Sequence, residues 1–162
     1  MKSDIVEKLI GAIKNAQADR HKLVIVLGQF GSGKTVILKQ AAEELKGQYL
    51  NLNLELSEKM LAIPASQYRD GTTVHALIDQ LCDDASPHHE PLFVDNLEIL
   101  FSPELGKINP IDTFKRISRE RPVVIALPAH RQGSSAIYST SGHEDYVVMP
   151  LEDYIVIEIP EE

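Results

Sequence analysis

Gly28, Gly31 and Gly33 precede Lys34 and Thr35 in the run Gly28-Gln29-Phe30-Gly31-Ser32-Gly33-Lys34-Thr35. Glycines reach backbone angles closed to other residues, so successive amide N–H groups can converge on one point. A helix starting near Gly33 would aim its positive dipole end and its unpaired N–H groups at that point, which suits an anion. Lys34 adds a mobile positive charge, and the Thr35 hydroxyl stands where Mg²⁺ on a phosphate chain would need a ligand. The spacing Gly-x-x-x-x-Gly-Lys-Thr after an apolar strand is that of a phosphate-binding loop. It predicts nucleoside-triphosphate contacts from Gly28, Gly31, Ser32, Gly33, Lys34 and Thr35. The competing reading is a glycine-rich turn that binds nothing; the strand before the run and the amphipathic helix after it weigh against that.

Such a loop needs a second acid for its metal shell, normally at the end of an apolar strand. Asp95 closes Leu92-Phe93-Val94-Asp95 and fits, with a helix cap as the alternative role. Thr35 and Asp95 are therefore the expected Mg²⁺ residues. Asp95 falls on the third strand counted from the loop, which points to ATPases with an added central strand and a sheet order of 5-1-4-3-2. Hydrolysis further needs a group that orients and deprotonates water. Many such ATPases carry Glu directly after the strand acid, whereas Asn96 stands here. An amide holds a water by hydrogen bonds but cannot take its proton near neutral pH. Glu98 is a substitute two residues on. Slow turnover, or binding with little hydrolysis, is the expectation.

Arg116, Arg119 and Arg121 precede a later strand, and an arginine donated across a subunit interface can neutralise a transferring phosphoryl group. Arg119 is the candidate for that role; a solvated helix end is the competing reading for each of them. His130 is a weak candidate for a phosphate sensor after that strand. His143-Glu144-Asp145-Tyr146 has a base and acids but no nucleophile, and reads as a turn or a partner-facing surface. Arg69 reads as a solvated charge, and the pair His88-His89 lacks a third metal ligand.

The elements that must position these residues alternate in type. Residues 4–17 read as an amphipathic helix, with Ile5, Leu9, Ile10, Ile13 and Ala16 on one face. Leu23–Leu27 is a continuous apolar run, as in a parallel strand buried on both faces. Residues 34–46 continue as a helix ended by Gly47. Tyr49–Leu56 alternates leucines with polar residues and predicts a half-buried strand near a sheet edge, after which Ser57 caps a short helix. Thr73 opens another helix, and Asn109-Pro110 caps one carrying Ile111, Phe114 and Ile117. Val123–Leu127 is a second buried strand, Pro128–Tyr138 a loop, and Tyr146–Met149 and Tyr154–Ile159 complete the strands. The pattern is a three-layer α/β fold: a mostly parallel five-stranded sheet with helices on both faces and no C-terminal lid domain. Residues 1–162 read as one domain, with an N-terminal helix over 1–20 and a core over 21–162.

The 162 residues carry a net charge of −8, so the chain as a whole does not advertise nucleic-acid binding, although Lys115, Arg116, Arg119 and Arg121 form a local basic strip. No apolar run is long enough to span a bilayer, and the first residues lack a signal pattern, so a cytoplasmic protein is expected. Cys82 is the only cysteine, which excludes an internal disulfide; its apolar neighbours predict a buried, reduced thiol.

The chain resembles BrxF, the small P-loop protein of type-three BREX (bacteriophage exclusion) systems. The resemblance rests on Gly28–Thr35, Asn51–Ser57, Asp95–Phe101, Ser118–Arg121 and Gly142–Tyr146, and so spans nearly the whole sequence. It implies an ATP-binding component of bacterial phage defence, using ATP and Mg²⁺ beside a larger ATPase, a methyltransferase and a phosphatase-like protein. From the residues themselves, the basic strip leaves room for a DNA contact and a donated arginine for a homo-oligomer, and no membrane contact is expected. Set against the wider AAA-like superfamily, the chain is expected to lack a helical lid and has Asn96 where a Glu would follow the acid, which argues against ring assembly and fast hydrolysis. Two other functions stay open: an interaction scaffold with nucleotide as a structural ligand, and a small-molecule phosphotransferase, disfavoured because no paired lid arginines are found.

Overall fold

Leu23–Leu27 (β1) has no polar side chain and is buried at every position, so both of its faces must be covered. A computed structural model, which describes residues 2–67, 71–138 and 146–160, shows how. In chain order the elements are α1 (Lys2–Ala16), β1, α2 (Lys34–Glu44), β2 (Gln48–Asn51), α3 (Leu52–Met60), α4 (Thr72–Ala85) and β3 (Leu92–Asp95). They continue with α5 (Pro110–Ile117), β4 (Val123–Leu127), β5 (His130–Gln132), β6 (Ser135–Tyr138), β7 (Val147–Pro150) and β8 (Ile155–Glu158). Five strands form one sheet in the order β2-β3-β4-β1-β8, each pair parallel. Counting β8 as its fifth strand, this is the expected 5-1-4-3-2.

Alternate residues of the central strands feed two cores. Leu23, Ile25 and Leu27 join Val123, Ile125 and Leu127 beneath apolar residues of α3, α4 and α5. Val24, Val26, Phe93 and Val124 face the other way, against Val6, Leu9 and Ile13 of α1 and Ile37, Leu38 and Ala41 of α2. Cys82 lies in the first core, and burial pushes its thiol up to about 12, so it stays protonated.

Two local expectations are corrected. The leucine alternation over 49–56 is not one strand: β2 stops at Asn51, whose side chain accepts from Leu54 N–H and caps α3 in place of Ser57. Leu52 and Leu56, four apart, are buried while Leu54 between them is 53% exposed, which is a helical face and not a strand face. Pro128–Tyr138 is not a loop: β5 and β6 form a hairpin that β7 extends into a separate antiparallel sheet. Tyr146–Met149 is a strand as the sequence suggests, and its residues 147–149 belong to this second sheet.

Gly47 does not stop α2 by its own backbone angle, because Lys46 takes the left-handed position at φ 54°. Its role is close approach. A Cβ there would stand 2.6 Å from the Pro91 carbonyl oxygen and 2.8 Å from Phe93 Cε1. Gly47→Ala is therefore expected to destabilise the fold by about 1–3 kcal/mol, read as a lower urea midpoint.

Candidate nucleotide site

The carboxyl ends of β1, β3 and β4 meet on one rim of the sheet, and the loop from Gly28 to Gly33 leaves β1 there. Gly31 and Gly33 adopt φ of 81° and 96°, angles that turn the loop back towards α2. Gly28 is needed for space: a Cβ on it would lie 2.5 Å from Ser32 Oγ. Gly33 caps α2 without any side-chain bond, so the first N–H groups of the helix are left to an incoming acceptor. Ser32 Oγ is itself buried with no hydrogen-bond partner among the described residues. An orphaned hydroxyl beside uncapped amides fits an anion.

Lys34 is 9% exposed and donates to the carbonyls of Gly28 and Gln29, both at 2.8 Å. The lysine thus closes the loop on itself. Burial lowers its pKa, and the charges of Asp95 and Glu98 act in the opposite direction. A desolvated ammonium with a further donor position is well matched to a phosphate oxygen.

Asp95 is buried at the end of β3 and every bond to it is charge-assisted. Thr35 Oγ1 donates to Oδ2 at 2.5 Å, Tyr49 Oη to the same oxygen at 2.7 Å, and the Asn96 amide to Oδ1 at 2.9 Å. With its hydroxyl hydrogen directed at Asp95, Thr35 keeps its oxygen lone pairs free for a cation. Thr35 and Asp95, an oxygen donor set of hydroxyl and carboxylate, fit the preference of Mg²⁺ for hard ligands. Burial, and then the bond to Asp95, raise the Tyr49 phenol above its ordinary value, which keeps it a donor. Tyr49 was not among the sequence candidates.

Asn96 sits at φ 58°, a left-handed angle that Asn tolerates better than most residues. Its carbonyl accepts from Asn53 N–H at 3.2 Å, which ties α3 to the site. Glu98 opens a short 3₁₀ turn, Glu98–Phe101, and is half-buried. It is near enough to Lys34 for its charge to act on the ammonium.

The arginines lie elsewhere. Arg119 precedes β4 and so stands at the opposite rim of a parallel sheet, where its Nε donates to His21 Nε2 at 3.1 Å. Arg116 pairs with Asp79 at 2.8 Å, and buried Arg121 pairs with Asp83 at 2.9 Å. His130 opens β5 and is exposed. With Gly28, Gln29, Ala129, Arg131 and Glu158 it lines a cavity of about 680 Å³ beside the loop. Arg69 and His143-Glu144-Asp145 lie outside the described residues.

Together, a parallel sheet in this order, a glycine loop after β1 and an acid ending β3 are the architecture of the P-loop NTPase fold. The solved structures agree on that fold. A DNA replication initiation factor matches with a TM-score of 0.53 and 16% identity, over 98% of this chain and 45% of that one. PCH-2 of C. elegans matches with a TM-score of 0.53 and 15% identity, over 99% and 43% respectively. The chain thus spans less than half the length of each, and at these identities the likeness is one of fold. No protein-family model matches the sequence, and no curated protein matches it. Among the described residues no helix is long and apolar enough to cross a membrane.

Gly28→Ala is expected to push Ser32 out of the loop and weaken triphosphate binding by at least about tenfold. Its unfolding midpoint should fall less than that of Gly47→Ala, since the severe clash is with the Ser32 side chain, while Ile159 Cβ after β8 stands at 3.3 Å and needs only a small shift. Fluorescence titration with a labelled ATP analogue, beside a urea melt, checks both.

Proposed function

We propose that this chain binds ATP with Mg²⁺ and serves as a nucleotide-controlled module with slow hydrolysis. The observation that carries the reading is the closed unit of Lys34 on its own loop carbonyls with Thr35 locked to Asp95. In this reading the loop amides, Ser32 and Lys34 hold the phosphates, while Thr35 and Asp95 hold the cation. Bound Mg²⁺ would supply charge neutralisation at the phosphate oxygens. The cavity beside Gly28 gives room for the rest of the nucleotide. Titration calorimetry tests this directly: the wild type should release heat with Mg²⁺ and ATP, and Lys34→Ala should bind at least about a hundredfold more weakly. Equal binding by the two proteins would end the reading.

Slow turnover follows from the corner after β3. Asn96 can hold a water but not deprotonate it, which leaves Glu98, whose charge acts on Lys34, as the carboxylate for that task. Arg119, at the far rim, can reach a phosphate only from a neighbouring copy, so self-association belongs to the same proposal. Asn96→Glu should raise ATP turnover while costing about 1 kcal/mol of stability at its left-handed angle, checked by phosphate release and a thermal melt. The same corner favours the second reading, a scaffold that keeps its nucleotide. Failure of DNA, added partners or high protein concentration to produce turnover would select it over the first.

The biological setting we infer is bacterial phage defence of the BREX type, in the cytoplasm, as a BrxF-like protein working with a larger ATPase, a methyltransferase and a phosphatase-like component. What supports this is the run of matching segments from Gly28–Thr35 to Ser118–Arg121, including Asn51–Ser57 and Asp95–Phe101 at the site itself. A DNA contact falls to the basic residues around Lys115 and Arg119.

A further inference from the structure

The third donor on Asp95 comes from outside both of the segments that define the site. Tyr49 is on the edge strand β2, paired in register with Phe93 of β3, and its hydroxyl crosses to Asp95 Oδ2 at 2.7 Å. Lys39, one helical turn beyond Thr35 on α2, places its ammonium 5.0 Å from the centre of the Tyr49 ring and steadies it from outside. Each carboxylate oxygen offers two lone-pair positions. On Oδ2 both are taken, by Thr35 and Tyr49; on Oδ1 one is taken, by the Asn96 amide. Among the described residues a single acceptor position, on Oδ1, is left.

We propose that Tyr49 is a positioning residue that sets cation choice: by filling Oδ2 it leaves Asp95 a single acceptor position, on Oδ1, for a metal ion or its hydrating water. The inference rests on the Mg²⁺·ATP reading of the loop. Mg²⁺ dehydrates reluctantly and keeps several waters, whereas Ca²⁺ readily takes carboxylates directly, often by both oxygens. A carboxylate with one open position therefore suits Mg²⁺ and cannot serve Ca²⁺ in that two-oxygen manner. Removing the phenol oxygen reopens Oδ2 and loosens the carboxylate. Partners of this kind, one step behind a metal ligand, typically shift metal affinity by about ten- to a hundredfold.

The test is ATP binding to the full chain, by calorimetry, in EDTA, in Mg²⁺ and in Ca²⁺, for the wild type and Tyr49→Phe. The variant keeps the ring under Lys39 and loses only the hydroxyl. Its affinity for ATP in EDTA should match the wild type, which reports an intact loop. The gain in ATP affinity on adding Mg²⁺ should fall by about tenfold, while the gain with Ca²⁺ should hold or rise. A Mg²⁺-to-Ca²⁺ preference unchanged by the substitution overturns the role of Tyr49 and leaves the ATP site standing. A wild type whose ATP binding ignores both cations overturns the metal reading and the inference together.

Discussion

A lysine ammonium held by two carbonyls of its own loop is the constraint on which the site depends. Lys34 has given up most of its water, and the Gly28 and Gln29 carbonyls replace only part of it. The geometry is affordable because the loop is stretched between two rigid supports. Behind it, β1 pairs residue for residue with β4 on one side and with β8 on the other. Ahead of it, α2 is packed by Ile37, Leu38 and Ala41 into the core shared with α1. A free chain would not hold a buried cation against carbonyl oxygens in this way; the sheet does.

The second support of the site is the carboxylate that joins its two halves. Through Thr35, Tyr49 and the Asn96 amide, Asp95 links the helix after the loop, the edge strand and the corner after β3. The Asn53–Asn96 bond carries the link into α3. Elements from widely separated parts of the sequence therefore converge on one buried acid, which ties β2 and α3 to the loop.

Much of this was legible in the sequence, for reasons that differ by element. Leu23–Leu27 and Val123–Leu127 were readable to the residue because strands buried on both faces leave an unbroken apolar run. The loop was readable because its glycines and lysine act through spacing alone. The stretch from Leu50 to Leu56 was not, because leucines at every second position contain a four-residue spacing too, and the Asn51 cap decided for helix. The hairpin over residues 130–138 carries an exposed first strand, so it showed no apolar signal. Tyr49 was hidden because its tie to Asp95 depends on the pairing of β2 with β3, which no local pattern encodes. The tyrosine one strand away from a predicted acid, on the expected neighbouring strand, was the only available clue. The arginines clustered in sequence left two roles open, and Arg116 and Arg121 serve ion pairs to α4.

The strand order has a bearing on how the chain comes to be folded in the cell. β1 is made early, yet one of its two hydrogen-bonding edges is satisfied only by residues 155–158, which leave the ribosome last among the described strands. Until then the most apolar strand of the molecule has an open edge, and the loop that follows it lacks one wall. A nascent chain in that interval is the form most exposed to wrong pairing, and the one a chaperone would most usefully shield.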